Sequence, residues 1–387
     1  MNKKMIFGIT VLVVVAIIVL FIGLVAPKES DEIEPQAHVI TIYGATGGGK
    51  ENFLADEEIA EILQEEYGIQ VVHKSVSNSW LVDETRLVED TEYQYDFMFC
   101  SDQRYYEQYQ AADNKVYQKS KGYIALNTPI VIYSWEQVAE VLMADGIVTK
   151  TDEKYYLSDP VKLLTHIEEQ TTWKDICGDP QNPVFKNNNP INILSVDPVK
   201  SSPGMTYYGW VARVLDAENR TGNITEGTLQ KLQELYKYSG FLGFTPSDLF
   251  DQYLRIGMGT YPLIVDYEKS LIDWAIANPA AYETVKNRIV VLYPEPIMWN
   301  SHCILSFTES GDIFVDALEK NARIQEIAFK RYGFRMGIST AYEDTTSFPT
   351  ETGDVTISGI PNEIYSAVMP IHTDGYNRIM EALRNVE

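Results

Sequence analysis

The chain has 387 residues, a formal net charge of −24 and three cysteines. This acidity disfavours nucleic acid and anionic lipid surfaces as partners, because phosphate-rich molecules would be repelled. Cys100, Cys177 and Cys303 are too few and too scattered for a disulfide framework or a metal finger, so we expect three buried thiols.

The first predicted element is an uncharged run, Met5 to Ala26, with basic residues before it and acidic residues after it. At about 1.5 Å per residue, a helix of this length crosses a bilayer core of roughly 30 Å. We therefore expect a single-pass membrane anchor over residues 1–28, an acidic linker over 29–37, and a body on the extracytoplasmic side. A cleaved signal peptide is the alternative.

A strand, a glycine-rich loop, a helix and a second strand are predicted to open the body. The β-rich residues 38–43 precede the loop 44–49, and apolar spacing predicts a helix over 55–67 that ends at Gly68. Residues 69–72 form the return strand, so this segment is predicted to be a βαβ unit.

The loop GATGGGK, residues 44–50, matches the first seven positions of the phosphate-binding motif GxxxxGK[ST]. Glu51 occupies the eighth position, where a nucleotide enzyme needs a hydroxyl to hold Mg²⁺. An exported domain also meets no ATP pool. We therefore expect no nucleotide binding, and we expect the glycines to let backbone amides approach another ligand. A plain structural turn is the alternative.

Strands and helices then alternate along the chain, which predicts an α/β fold with largely parallel sheets and ligand sites at strand carboxyl ends. The predicted strands are 96–100, a pair over 122–133 interrupted at Asn127–Pro129, 191–196, 263–265, 289–293 and 304–307. The predicted helices are 135–145, 160–169, one following Gly204, and 312–331.

Several small polar loops follow predicted strands. Each offers hydroxyls and free backbone amides rather than a nucleophile with its base, which suits the binding of a small polar ligand. These loops are Thr46-Gly47-Gly48, Ser101-Asp102, Asn127-Thr128, and Ser201-Ser202 ahead of Gly204.

Over residues 38–331 the chain resembles bacterial extracellular solute-binding proteins of the two-lobed periplasmic-binding type, type II. The segments that carry the resemblance are ITIYGATGGG, EEIAEILQEEYGIQVV, YDFMFCSDQ, LNTPIVIYSW, ILSVDPVKSSPG, and GTYPLIVDYEKS leading to VVLYPEPIMWNSH. The resemblance implies a cleft between two lobes, although residues 332–387 have no counterpart in it. We expect lobe 1 to comprise residues 38–128 plus 293–387, and lobe 2 residues 129–292. The resemblance also implies ligand contacts from Thr46, Gly47, Gly48, Ser101, Asp102, Thr128, Ser201, Ser202, Gly204, Tyr267 and Glu268.

The sequence therefore predicts a membrane-tethered solute-binding protein rather than an enzyme. It would capture a small polar solute, an oxyanion or a sugar-like molecule, and pass it to a membrane permease or sensor. We expect no cofactor and no metal, since the sequence contains no HExxH motif and no pair of histidines at ligand spacing. Two alternatives are a secreted α/β hydrolase and an interaction module that has kept the fold without a ligand.

Overall fold

The computed structural model describes residues 39–82, 94–111, 121–217, 223–239, 245–337, 341–369 and 371–386. The predicted anchor and linker lie outside the described residues. Among the residues that are described, no helix is both long enough and apolar enough to cross a membrane.

The body alternates strands with helices. The strands are β1 (Ile40–Thr46), β2 (Ile69–Ser75), β3 (Phe97–Phe99), β4 (Lys121–Trp135), β5 (Val148–Thr151), β6 (Lys154–Leu157), β7 (Leu263–Tyr267), β8 (Ile289–Pro294), β9 (Trp299–Ser306), β10 (Arg335–Met336), β11 (Ser347–Thr350) and β12 (Gly353–Thr356). The helices are α1 (Glu51–Leu54), α2 (Glu57–Tyr67), α3 (Asn78–Leu81), α4 (Gln103–Ala111), α5 (Glu136–Ala144), α6 (Pro160–Glu168), α7 (Trp173–Ile176), α8 (Ser202–Leu215), α9 (Glu226–Tyr238), α10 (Pro246–Ile256), α11 (Glu268–Ala277), α12 (Pro279–Val285), α13 (Glu309–Lys320), α14 (Ala322–Tyr332) and α15 (Thr373–Arg384).

One large mixed sheet forms the framework, in the order β2-β1-β3-β9-β4-β8-β6-β5, with β7 and β10 also paired to β4. The pairs β1–β2, β1–β3 and β6–β8 are parallel. All four partners of β4 are antiparallel to it. The expectation of largely parallel sheets is therefore wrong. Apolar periodicity identifies a strand, but it does not show whether the strand runs parallel or antiparallel to its neighbours.

The long strand β4 joins two parts of this sheet. Its residues 121–129 pair with β9, and residues 130–135 pair with β7 and β8. We call β2, β1, β3, β9 and β10 with the first part of β4 the first half-sheet. The second half-sheet comprises the remainder of β4 with β5, β6, β7 and β8. The chain returns between the half-sheets where β8 leads into β9.

The predicted interruption of β4 at Asn127–Pro129 is wrong, because the strand runs through these residues. Cross-strand hydrogen bonds satisfy the polar side chain there: Ser301 Oγ donates to Asn127 Oδ1 at 2.6 Å, and Asn127 Nδ2 donates to the Gly337 carbonyl at 2.9 Å. Pro129 lies opposite Trp299 at the end of the β9 pairing, where the strand changes partners.

Two other predicted elements also differ from the structure. Residues 191–196 form no regular strand, and only Leu194 bridges to Ile264. The single helix predicted over 312–331 is two helices, because Asn321 takes an extended conformation and its side chain accepts hydrogen bonds from Arg323 N and Ile324 N.

Apolar side chains pack on both faces of the first half-sheet. Residues of α2, α13 and α14 cover one face, and residues of α3 and α4 contribute to a smaller cluster with β3 and β9. A larger core surrounds the second half-sheet and includes α5, α8, α9 and α11. These layers fix the carboxyl ends of β1, β3 and β7 relative to one another.

The chain after residue 341 contributes side chains to the larger core. Phe348, Val355, Ile379 and Leu383 belong to the core of the second half-sheet, and α15 contacts α8 and α9. The lobe boundaries, including the placement of 293–387 in lobe 1, stay predictions.

Candidate functional site

A cavity of about 690 Å³ lies where the two half-sheets meet. Residues from the ends of β1, β3 and β7, from the middle of β4 and from the first turns of α8 and α11 surround it. Its lining comprises Gly48, Gly49, Ser101, Thr128, Lys200, Ser201, Ser202, Pro203, Pro246, Phe250, Asp251, Asp266, Tyr267, Lys269, Ser270, Asp273, Trp274, Ala277, Asn278, Asn300, His302 and Phe334.

A buried lysine organises the wall that follows β1. Lys50 is only 1% exposed, and its Nζ donates to the Gly47 carbonyl at 2.7 Å, the Gly48 carbonyl at 3.3 Å and Ser101 Oγ at 3.0 Å. Ser101 Oγ in turn donates to the Gly48 carbonyl at 2.7 Å. These bonds tie the loop after β1 to the residue after β3 and hold Gly48 and Ser101 at the cavity.

The same contacts explain why the GGGK segment is not arranged as a nucleotide loop. The three donors of the Lys50 amine are all directed at protein acceptors. The Glu51 carboxylate accepts hydrogen bonds from Gly49 N at 2.8 Å and from Ser75 Oγ at 2.9 Å. The Gly49 amide is therefore not available to donate to a phosphate.

The opposite wall is the first turn of α8. Ser201 is its N-cap residue but makes no side-chain capping bond, so the first backbone N–H groups lack that partner. Gly204 allows the preceding loop to approach closely, since a Cβ there would lie 2.3 Å from the Val196 carbonyl. Ser201 and Ser202 line the cavity as a result.

Three buried side-chain atoms on cavity residues have no hydrogen-bond partner: Thr128 Oγ1, Asp266 Oδ2 and His302 Nδ1. They come from β4, β7 and β9 respectively. A buried polar atom without a partner costs free energy, so such atoms normally mark a ligand, water or ion site.

The protonation of His302 follows from its neighbour. Asn300 Nδ2 donates to the Ser101 carbonyl at 3.2 Å and lies 3.2 Å from His302 Nε2. Burial lowers the pKa of His302 well below its usual value, so the ring is neutral. With Nε2 accepting from Asn300, the ring proton lies on Nδ1, which is a hydrogen-bond donor without an acceptor.

Asp266 brings an acidic group to the same cavity. Its Oδ1 accepts from the Tyr267 amide at 2.8 Å, while burial raises the pKa of the carboxyl to about 6. Tyr267 follows it, with its hydroxyl 3.3 Å from Thr206 Oγ1 in the first part of α8. The arrangement offers both hydrogen-bond donors and an acceptor to a bound molecule.

Aromatic rings supply the apolar part of the lining, from Phe250, Trp274 and Phe334. The amine of Lys269 lies 4.9 Å from the centre of the Phe334 ring and is paired with Asp273. A site with a few directed polar groups and several rings suits a small organic molecule.

The structure brings six of the eleven predicted site residues to the cavity. They are Gly48, Ser101, Thr128, Ser201, Ser202 and Tyr267. Their role in binding remains a prediction.

The other five do not line the cavity. Thr46 is the last residue of β1 rather than a loop residue, and its hydroxyl lies 3.1 Å from His73 Nδ1. Gly47 N donates to the Phe99 carbonyl at 2.9 Å. Gly204 is packed inside the first turn of α8.

The two predicted acids are engaged elsewhere. Both carboxylate oxygens of Asp102 accept from Arg104, at 2.9 and 2.8 Å. Glu268 forms a buried ion pair with Arg335 and accepts from the Tyr293 hydroxyl at 2.8 Å. Their charges are therefore compensated within the protein.

Sequence reasoning missed Lys50, Asp266, Asn300, His302 and the three rings. Asp266 could have been found, because it ends a predicted strand beside Tyr267. Asn300 and His302 lie within a strand, and only the pairing of β9 with β4 shows that they reach the cavity.

No family model matches the sequence, and no curated protein matches it in sequence. Solved structures do match the fold. An extracellular solute-binding protein from Bordetella parapertussis superposes with a TM-score of 0.56 at 8% identity, over 89% of this chain and 98% of that one.

Iron-bound HitA from Pseudomonas aeruginosa gives a TM-score of 0.54 at 10% identity, over 90% of this chain and 99% of that one. An ABC transporter protein from Clostridium perfringens gives 0.50 at 14% identity, over 89% and 98%. The chain therefore has a type II periplasmic-binding-protein-like fold, as the sequence predicted.

Proposed function

We propose that this protein captures a small polar solute in the cavity between its half-sheets and delivers it to a membrane permease. The observation that carries the proposal is the set of buried, unpartnered polar atoms on Thr128, Asp266 and His302. A bound solute would supply their missing hydrogen bonds. Proteins with this fold include solute-binding components of ABC transporters, which supports the same function.

A hydrolase is a weaker interpretation of the same cavity. A nucleophile needs a base within hydrogen-bond reach. Among the described residues, His302 has only Asn300 as a hydrogen-bond partner, and no serine or cysteine donates to its ring. We therefore favour binding without chemistry.

We also propose that Met5–Ala26 tethers the body to the cell membrane from the extracytoplasmic side. The support is the uncharged length of that run together with a fold shared with extracytoplasmic binding proteins. The intact mass of the membrane-extracted protein should include residues 1–26. A mature species that begins at or after Pro27 would show instead that the run is a cleaved leader.

Solute capture is tested by a thermal-shift screen of the full-length protein against oxyanions, sugars and amino acids. A ligand at a concentration 100 times its Kd stabilises the folded state by about 2.7 kcal/mol, which raises Tm by several degrees. Failure of every class of solute to raise Tm would contradict the proposal.

A matched pair of variants locates the binding site. Thr128→Val removes one unpartnered hydroxyl from the cavity with little change in volume, and we expect it to weaken binding of the identified solute by about tenfold. Thr165→Val removes an exposed hydroxyl from α6 and should leave the affinity unchanged. Equal affinity in the two variants would place the site elsewhere.

A further inference from the structure

Lys50 is a buried cation whose hydrogen-bond partners are two carbonyls and a hydroxyl, and none of the three is a carboxylate. Its ring contact is Phe99, at 5.0 Å from the amine to the ring centre. Buried charges in folded proteins are normally compensated by an opposite charge, because removing an ion from water is costly. Among the described residues, no carboxylate accepts a hydrogen bond from the Lys50 amine, and the acid that interacts with it electrostatically is Glu51.

The cavity lies directly beyond two of the partners of this amine. Gly48 and Ser101 both accept from Lys50 and both line the cavity. An anion bound against them would be close to the ammonium charge without displacing any of its hydrogen bonds. Because Lys50 itself is buried, that attraction is stronger than the attraction between two exposed charges.

Two groups of the cavity lining can donate to an anion. The Nδ1–H of His302 and the hydroxyl of Thr128 have no acceptor. Across the cavity, the fourteen-residue helix α8 begins at Ser202 without a side-chain cap at Ser201. Pro203 in its first turn has no N–H, but the helix dipole still favours a negative charge at this end.

The cavity is also larger than an inorganic anion needs. Its volume is about 690 Å³, and the rings of Phe250, Trp274 and Phe334 are in its wall. Oδ2 of Asp266 makes no hydrogen bond of normal geometry, although Ser270 lies near the carboxyl, so a donor on the bound molecule could pair with it.

We infer that the solute is a small organic anion that also carries a hydroxyl or amino group, and that Lys50 is the positioning residue whose charge it neutralises. This inference rests on the proposed solute-binding function and specifies the chemical class of its ligand. The anionic group is a carboxylate, sulfonate or phosphoryl group. It lies against Gly48, Ser101 and the start of α8, and the organic part lies among the rings.

Proton uptake follows from this arrangement. Burial lowers the pKa of Lys50 to about 7, although Cys100, Glu51 and Cys303 act in the opposite direction. The other titratable groups that interact with the amine are His73 and His302, and burial lowers the pKa of both rings. An anion binds the protonated amine preferentially, so binding is accompanied by proton uptake above pH 7.

The first experiment compares anions with neutral counterparts of nearly the same shape. Hydroxylated carboxylates and sulfonates are screened by thermal shift beside the corresponding amides and alcohols, as with lactate and lactamide. We expect the anions to raise Tm and their neutral counterparts to have no effect. A neutral solute that binds as well as its anionic counterpart would overturn the inference while leaving solute capture intact. Absence of binding by every solute would contradict solute capture itself.

The second experiment measures the Kd of the best anion between pH 6 and pH 9, a range in which carboxylates and sulfonates do not titrate. The Kd should rise by up to about tenfold per pH unit above pH 7. Calorimetry in buffers of different ionisation enthalpy should show proton uptake at pH 8. A Kd that is constant over this range would overturn the inference without any mutation.

Variants assign the pH dependence to one group. Lys50→Met should raise the Kd at pH 6 by at least about tenfold and abolish the dependence above pH 7. Asp266→Asn should retain the dependence above pH 7, which separates the lysine from the carboxyl. Lys121→Met removes an exposed lysine paired with Asp316 and serves as the control that retains full affinity. Pronounced pH dependence that persists in folded Lys50→Met would overturn the role of Lys50.

Discussion

At the scale of single residues, Glu268 and Arg335 form a buried ion pair next to the cavity residues Tyr267 and Phe334. The two side chains are 1% and 3% exposed, and Arg335 Nε donates to Glu268 Oε2 at 2.7 Å. Arg335 also donates to the Pro361 carbonyl at 2.7 Å. The pair joins the start of α11 to β10 and to the chain that follows β12.

Removing one member of this pair leaves the other charge buried alone. We expect Glu268→Gln to lower the free energy of unfolding by about 3–5 kcal/mol, measured by urea denaturation. Glu226→Gln breaks the exposed pair between Glu226 and Arg378 and should cost less than about 1 kcal/mol. Similar losses in the two variants would show that the buried guanidinium is compensated in another way.

Asp266 should make stability depend on pH. Burial raises its pKa from 3.8 to about 6, so the folded protein holds this proton more tightly than the unfolded chain does. The stabilising contribution is fully present below pH 4 and is lost as pH rises through 6. Asp266→Asn should therefore stabilise the protein by roughly 2–3 kcal/mol at pH 8 and have little effect at pH 4.

The control for this variant is Asp251→Asn, which changes an exposed aspartate of the same cavity. Its effect on stability should be small at both pH values. Urea denaturation at pH 4 and pH 8 measures both variants. A destabilised Asp266→Asn protein at pH 8 would mean that the ionised carboxylate is held by a favourable contact.

At the scale of elements, Asn321 sets the boundary between α13 and α14. Its Oδ1 accepts from the amides of Arg323 and Ile324, both at 3.0 Å. Asn321→Ala should lower the free energy of unfolding by about 1 kcal/mol, since two amides at the start of α14 lose their acceptor. Asn321→Ser retains a capping oxygen and should lose less than half as much. Urea denaturation measures both variants. Equal stability of Asn321→Ala and the unchanged protein would show that Asn321 does not stabilise the start of α14.

The sequence predicted individual elements better than their arrangement. The helix that ends at Gly68 was predicted correctly, because Gly68 takes a left-handed conformation with φ of 65°. The interruption predicted at Asn127–Pro129 was wrong because the hydrogen-bond partners of Asn127, Ser301 and Gly337, lie far along the chain. The single helix predicted over 312–331 was wrong for a local reason, since the Asn321 side chain caps a new helix that starts directly after it.

The candidate site shows the same limit. Loop residues such as Ser101 and Ser201 could be predicted because they follow strands or open helices. Lys50 could not be predicted as a residue of the site, because its amine meets the Gly47 carbonyl and the Ser101 hydroxyl only in the folded chain. The ion pairs of Asp102 with Arg104 and of Glu268 with Arg335 could not be read from the sequence either, because they form only in the folded chain.

At the scale of the whole molecule, α15 contacts helices on both sides of the cavity. It packs on α8 and α9, and it also contacts α4 of the first half-sheet. Thr373 N donates to Glu107 Oε2 at 3.3 Å, and the Arg104 guanidinium lies 4.6 Å from the centre of the Tyr376 ring. The carboxyl-terminal helix thus connects the two parts of the body.

Tyr376→Ala should weaken this connection. The ring is buried against Arg104 and Gly209, and its loss should lower the free energy of unfolding by about 3–5 kcal/mol. Hydrogen exchange should accelerate in α15 and α4 together. Tyr365→Ala, which removes a side chain that is 89% exposed, is the control and should change neither quantity. Faster exchange in α15 alone would show that the helix does not couple the two parts.

The continuity of β4 has a mechanical consequence. A strand that is hydrogen-bonded along both edges resists bending far more than a connecting loop does. A change in the angle between the half-sheets would therefore twist the backbone of the central residues of β4, which include Thr128. The Thr128 hydroxyl lies at the cavity without a hydrogen-bond partner, so a change in the angle between the half-sheets would also change the position of a polar group of the cavity.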